Sequence, residues 1–483
     1  MNVNCLDDMK NKFKRIRWKQ YLPLAGLLVM LVAIVAGSLN IGQVRQWFGN
    51  ASGVEANMVV ETQTVLGPLP RPWRNLAQGG ESHEYRFTSV IDQVKSVHPE
   101  YVRIDHVYDF YEIVGRNGEG QLTFDWNRLD PVLDDILMMG AKPFISLSYM
   151  PPAISSGDVT DKPRNWTEWQ VVVQKTIEHI SGHRGRNIAN VYYEVWNEPD
   201  LFGGWKTYGD KNYLDLYRYA AYGAKSTGNV QAFKLGGPAI TAYYEAWVDN
   251  LLTFVEKNNL RFDFFSWHRY HTNVDEFVSE TRAIDLALEK HPRLLLSVEK
   301  IISEWGFNPE VDAGYDGAYG AAHMVAVATE LPKWVDRAFV FEIQDGKDPA
   351  GKEFWGRWGL FTNSDFGSRS KPRFRALQML EQLGEERLSM YGKGTWVRGL
   401  ATKNGTITRT LLVNYDPSGR HSENVPVTFT QVRPGEFLLK QRFLDGKLQM
   451  FSLATTGATL RHQVVMPAES VVMLELEQTK VIR

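Results

Sequence analysis

Between about residues 73 and 383 the chain alternates two textures: short runs rich in β-branched and aromatic residues, and longer runs whose apolar positions recur every three or four residues. The short runs are "RNLAQGGE", "YVRIDHVYD", "KPFISLSYM", "VYYEVWNEP", "KLGGPAIT", "DFFSWHRYH", "KIISEWGF" and "RAFVFEIQD". Between them lie helical patterns such as "LDPVLDDILMMG", "TEWQVVVQKTIEHI" and "EAWVDNLLTFVEKN", the last with Leu251, Leu252 and Val255 on one face. Strand and helix alternating in this way over about 250 residues predict an eight-fold (β/α) barrel, a TIM barrel of α/β class. The polar, short first run is its weakest strand. A doubly wound open sheet is the rival, but it calls for a glycine-rich phosphate turn after an early strand, and the chain has no Gly-x-Gly-x-x-Gly.

After about Thr395 the period shortens. "TWVRGLATK", "TITRTLLVNYD", "VPVTFTQV", "FLLKQRFLD" and "SVVMLELEQ" alternate with Gly, Asn, Asp and Pro turns, as in an all-β module. The predicted division is a catalytic barrel over 58–390 and a supporting β-sandwich over 391–483. The segment "MVVETQTVLG" is a candidate extra strand for that module.

The N-terminus carries an address. Residues 1–20 include Lys10, Lys12, Lys14, Arg15, Arg17 and Lys19, and no charge follows from Gln20 to Val44. About 20 apolar residues suffice to cross a membrane. Residues 21–44 therefore predict a single transmembrane helix with its basic flank in the cytoplasm, 45–57 a tether, and everything beyond outside the cytoplasm. Cleavage as a signal peptide near Val35-Ala36-Gly37 is the alternative, which would leave the body of the protein secreted.

Composition narrows the chemistry. A net charge of -2 argues against nucleic acid. The single cysteine, Cys5, allows neither an internal disulfide nor a Cys-rich zinc site. No carboxylate or histidine group has convincing metal spacing, so neither a metal nor another cofactor is required. The 15 tryptophans suit a carbohydrate partner, whose C–H faces stack on aromatic rings, and suit a packed core equally well.

Catalytic groups of such a barrel sit where the strands end. The strand ends present Asp105, His106 and Asp109, then Asn197 and Glu198, His268 and Tyr270, Glu304, and finally Gln344 with Asp345. Glu198 and Glu304 each close an apolar strand, the fourth and the seventh, which face each other across the mouth. A carboxylate left dry and unpaired costs roughly 2 kcal/mol or more, so it needs a partner or a use. Two facing carboxylates suit glycoside hydrolysis: at about 5–5.5 Å apart, one attacks the anomeric carbon while the other gives its proton to the leaving oxygen. The ionised partner favours the protonated form of Glu198, which then waits as general acid.

"EVWNEPD", "SWHRYH" and "SEWGF", with "YVRIDHVYDFY" and "FWGRWGLFTNSDFGSRSKPRFRAL", resemble the clan of retaining glycosidases, and within it glycoside hydrolase family 39, over roughly residues 65–385. That family includes β-xylosidases, α-L-iduronidases and bacterial exopolysaccharide glycosidases. The resemblance implies Glu198 as acid/base and Glu304 as nucleophile. It implies Asn197 on the sugar 2-hydroxyl, Arg103 and Tyr270 on the Glu304 carboxylate, and His268 lining the cleft. Where many members have Arg-x-His on the second strand this chain has "RIDH", so Asp105 adds an acid and His106 is taken as a further substrate-binding residue.

Bland readings stand beside these. Glu194 and Glu342 read as buried ion-pair partners, Glu194 for Arg103; His268 and Tyr270 suit a satisfied core as well as a cleft. Of Trp205, Trp305, Trp355 and Trp358, only Trp305 and Trp355 are taken as sugar platforms. The leading expectation is a retaining hydrolase of an extracytoplasmic glycan. A transglycosylase or clan-related endo-glucanase is the second, and a glycan-binding or assembly protein without turnover the third.

Overall fold

The computed structural model describes residues 53–80, 83 and 85–481. The predicted cytoplasmic segment, membrane helix and most of the tether lie outside them. Among the described residues no helix is long and apolar enough to cross a membrane.

Eight parallel strands close into a barrel. They are β1 (Asn75–Gln78), β2 (Tyr101–Ile104), β3 (Lys142–Ser146), β4 (Val191–Glu194), β5 (Phe233–Ile240), β6 (Phe264–Tyr270), β7 (Glu299–Gly306) and β8 (Arg337–Phe341). Each coincides with one of the eight predicted runs, β5 and β7 starting one residue earlier than theirs. A helix follows every strand, from the short Ile91–Lys95 to Pro372–Glu381, and a small hairpin, Val114–Arg116 with Leu122–Phe124, is inserted after β2. Asparagines open three of the helices: Asn165, Asn212 and Asn273 each accept a hydrogen bond from the backbone N–H two residues on. Each so satisfies one of the donors a helix start leaves free.

The barrel interior is layered. Ala77, Tyr101, Phe144, Tyr192, Phe264, Ile301 and Phe339 fill it with apolar side chains. Because successive strand residues point to opposite faces, the residue two further on points inward again, one layer nearer the mouth. Tyr101 is thus followed by Arg103 and Tyr192 by Glu194, so a polar tier rests on an apolar floor.

The other β-rich segments form one continuous nine-stranded sheet around a core that includes Val60, Leu388, Leu412, Val427, Phe429, Leu439, Val464 and Leu474. Met58–Pro68 does not belong to the barrel. It lies within this sheet, antiparallel to Glu386–Tyr391 and parallel to Glu423–Thr430. The boundary placed at 58 and 390 therefore shifts: the module draws on both flanks of the barrel, because a strand finds partners by backbone pairing regardless of its distance along the chain. Tyr415 ties the two parts together, donating to the Thr272 carbonyl at 2.9 Å and meeting the Tyr319 hydroxyl at 3.0 Å.

Candidate active site

After β4 the backbone turns sharply. Trp196 and Glu198 adopt φ of 78° and 44°, in the left-handed region that costs a non-glycine residue roughly 1–2 kcal/mol. Hydrogen bonds hold this turn: the Trp196 carbonyl accepts from Ser146 Oγ at 2.9 Å, and the Glu198 N–H donates to the Ala239 carbonyl at 3.0 Å. On the opposite wall the register between β6 and β7 slips by one residue at Ser303, so Glu304 pairs with His268. Such a bulge re-aims a side chain.

The result brings the two glutamates together. A carboxylate oxygen of Glu198, one of Glu304 and a ring nitrogen of His268 all lie within 4.8 Å of one another. His268 Nδ1 is 2.8 Å from Glu198 Oε1 and 3.5 Å from Glu304 Oε2. The imidazole is fully buried, which works against its charge, but the two carboxylates outweigh burial and raise its pKa above the ordinary histidine value. The three donor atoms are close enough to hold an ion, yet His268 Nδ1 is committed to Glu198, and both Glu304 oxygens accept hydrogen bonds.

Arg103 is the hub beneath. Fully buried, it donates through Nε to Glu194 Oε2 (2.8 Å), through Nη1 to Glu304 Oε1 (2.7 Å) and through Nη2 to Asn197 Oδ1 (2.7 Å). Burial opposes the guanidinium charge, and Glu194 and Glu304 more than compensate, so its pKa is raised. Tyr270 donates to the other oxygen of Glu304 at 3.0 Å. Its own phenol is pushed well up by burial and then by the Glu304 charge, so it stays a donor. Burial likewise lifts the Glu304 carboxyl above the usual carboxylate range, while His268 and Arg103 pull it down and Glu198 adds to the rise.

Arg103, Asn197, Glu198, His268, Tyr270 and Glu304 thus share one cluster, and Glu194 is the Arg103 partner that its apolar setting required. Glu342 is buried and accepts from Gln78 Nε2 at 2.8 Å. His106 sits at the edge of the cluster, its ring 4.7 Å from that of Tyr149 and stacked on Phe110, with Nδ1 2.8 Å from Asp109 Oδ2. Gln344 and Asp345 brace the last loop: Gln344 Nε2 donates to the Thr362 carbonyl and Ser368 Oγ, and Asp345 pairs with buried Lys371.

Trp305 is not a sugar platform. It has no exposed surface and packs edge-on against Phe277, on the helix Val274–Leu288. The cause is strand alternation, since Glu304 points into the barrel and its neighbour must point out. Trp205 is also fully buried, with Nε1 donating to the Thr160 carbonyl. Trp355 is half-buried, with the Arg357 guanidinium 5.1 Å from its ring, and Trp358 carries the same guanidinium at 3.6 Å.

One residue escaped the sequence reading. The Tyr149 hydroxyl accepts from Asn197 Nδ2 at 3.0 Å, and its phenol is raised by burial and by the charges of Asp105, Glu198 and Glu304. Its position just beyond β3 was the available signal.

A strand-end carboxylate pair on a (β/α) barrel defines the glycosidase-like class of site. The profile described as Glycosyl hydrolases family 39 matches residues 57–404, and the chain belongs to that family. It is 29% identical to a β-xylosidase of Caldicellulosiruptor saccharolyticus over 316 residues, which cover 60% of this chain and 63% of that protein, less than two thirds of its length. A β-xylosidase of Geobacillus stearothermophilus is 25% identical over 357 residues, covering 67% and 69%. The crystal structure of a monomeric β-xylosidase from Caulobacter crescentus CB15 shares the fold, with a TM-score of 0.72 and 21% identity over 88% of this chain and 100% of that one.

Proposed function

We propose that the protein is a retaining glycoside hydrolase that cleaves O-glycosidic bonds of an extracytoplasmic poly- or oligosaccharide by double displacement, with no cofactor. The observation that carries the reading is the meeting of Glu198 and Glu304 oxygens within 4.8 Å, which suits the roughly 5–5.5 Å carboxyl separation of retaining enzymes and leaves no room for a water between Glu304 and the anomeric carbon. Glu304 attacks the anomeric carbon while Glu198 gives its proton to the departing oxygen. A water then enters from the leaving-group side, Glu198 takes its proton, and the bond from carbon to Glu304 breaks.

The neighbours serve these steps. Arg103 and Tyr270 each donate to one oxygen of Glu304, so the attacking carboxylate is oriented before substrate arrives. Asn197, fixed by Arg103 and Tyr149, is held where the 2-hydroxyl of the bound sugar would lie. The membrane anchor and the site beyond the membrane rest on the basic run followed by the apolar stretch at residues 21–44. The two β-xylosidase relatives make aryl β-xylosides the first substrates to try.

Trapping with activated 2-fluoro glycosides tests the mechanism. One label per molecule on the peptide holding Glu304 is the expected result. Labelling elsewhere, or a Glu304→Gln variant with activity within about tenfold of wild type, overturns it, because loss of a nucleophile removes far more of the rate.

A further inference from the structure

We propose that Asp105 reads the glycone: its carboxylate accepts a ring-hydroxyl proton from a neutral sugar and turns away a uronic acid. The inference rests on the glycosidase reading above and assigns the substrate class of that same site.

Asp105 follows β2 directly, two residues after the arginine that grips Glu304. It is only 7% exposed, and its Oδ1 is buried without a hydrogen-bond partner. Arg103 serves Glu194, Asn197 and Glu304, and His106 Nδ1 faces Asp109. Burial accordingly pushes the Asp105 carboxyl up, with His106 and Arg103 pulling against it. A buried acceptor without a donor is costly, and a ligand that supplies the donor recovers that cost.

The charge is also close to the reacting groups. Glu304 is raised in part by Asp105, and the Tyr149 hydroxyl, bonded to Asn197, feels Asp105 together with Glu198 and Glu304. Asp105 lines a narrow recess with Gln78, Gly79, Tyr85, Phe110 and Tyr111. Gly79 is part of the fit: a Cβ built there would stand 2.0 Å from Asp105 Oδ1, so the carboxyl lies directly against the bare backbone at the end of β1. A sugar hydroxyl can donate into this place. A sugar carboxylate would set a second negative charge beside an unpaired one in a poorly hydrated mouth, where like charges repel strongly.

The test compares wild type with Asp105→Asn on aryl β-xylosides, their 3-deoxy and 4-deoxy analogues, aryl β-glucosides and aryl β-glucuronides. Wild type should favour the neutral glycosides over the glucuronide, and one deoxy analogue should lose about 10- to 100-fold in kcat/KM, the range of a hydrogen bond to a charged group. In the variant that deoxy penalty should shrink to within about threefold, and the discrimination against the glucuronide should narrow. Equal or better turnover of the glucuronide by wild type overturns the proposal, as do deoxy penalties that Asp105→Asn leaves unchanged. Melting temperatures check that the variant folds, and Asp105→Ser is read in the same way if it does not. Absence of wild-type turnover or 2-fluoro labelling with every sugar tried refutes the glycosidase reading itself and this assignment with it, so the two failures are distinct.

Discussion

The imidazole Nδ1 of His268 lies 2.8 Å from Oε1 of Glu198, the carboxylate proposed to give and take the proton. The same nitrogen is 3.5 Å from Glu304. One buried ring therefore bridges the two carboxylates, and its charge is sustained by both of them.

That bridge sets the acid side of the pH profile. Glu304 must be ionised to attack, and the His268 charge helps to keep it so. Removing that charge in His268→Gln raises the Glu304 pKa further, so activity should be lost at higher pH on the acid limb, together with about a tenfold or larger fall in kcat at the optimum. Profiles of kcat/KM against pH for both proteins check this; an unmoved acid limb would show that the ring has no electrostatic role.

Glu198→Ala should leave substrates with good leaving groups much closer to wild type than those with poor ones, since only the latter need a proton. Azide should restore turnover and yield a glycosyl azide with the anomeric configuration of the substrate. A series of aryl glycosides of graded leaving-group pKa measures the effect, and a uniform loss across the series would remove Glu198 from the acid role.

Arg103→Lys keeps a charge but loses the fork that reaches Glu194, Asn197 and Glu304 together. Breaking a buried ion pair costs about 3–5 kcal/mol, so the denaturation midpoint should fall markedly. Activity should fall by about 100-fold or more, because Asn197 and Glu304 lose their common support. Denaturant unfolding and kcat/KM measured on the same preparation check both; normal stability with full activity would show that the triad is dispensable.

His323 predicts how stability varies with pH. Burial pulls its imidazole down from 6.5 to about 3, and its Nε2 donates to the His271 carbonyl at 2.9 Å. Between those two values the unfolded chain binds a proton that the folded chain does not. This contribution to stability is therefore complete above the unfolded pKa and is lost as pH falls toward the folded one, at about 1 kcal/mol per pH unit. Unfolding free energies at pH 7 and 5 should differ less in His323→Gln than in wild type, and equal slopes would contradict the assignment.

How far the fold was legible follows from periodicity. Every barrel strand matches a predicted run to within one residue, because a strand buried between floor and helices must be apolar and short while the following helix must be amphipathic. The glutamates could be found because a carboxylate at the end of such a strand is out of place unless used. Trp305 shows the opposite case: its nearness to Glu304 in the chain suggested the cleft, whereas the strand sends neighbours to opposite faces and puts it against Phe277. Met58–Pro68 reads as a candidate strand of the β module, which its pairing in the nine-stranded sheet bears out, although the boundary at 58 grouped it with the barrel, since composition does not say which strand will be its partner.

The order of residues alone determined the alternating barrel, the β-rich module after it and the candidate glutamates, since these follow from local pattern and from what it costs to bury each side chain. Only the closed structure decided that His268 bridges the pair, that Arg103 holds three partners at once, and that Oδ1 of Asp105 has none. Those relationships depend on which side chains meet across the barrel from strands far apart in the chain, and distance, desolvation and hydrogen bonding exist only once the sheet has closed.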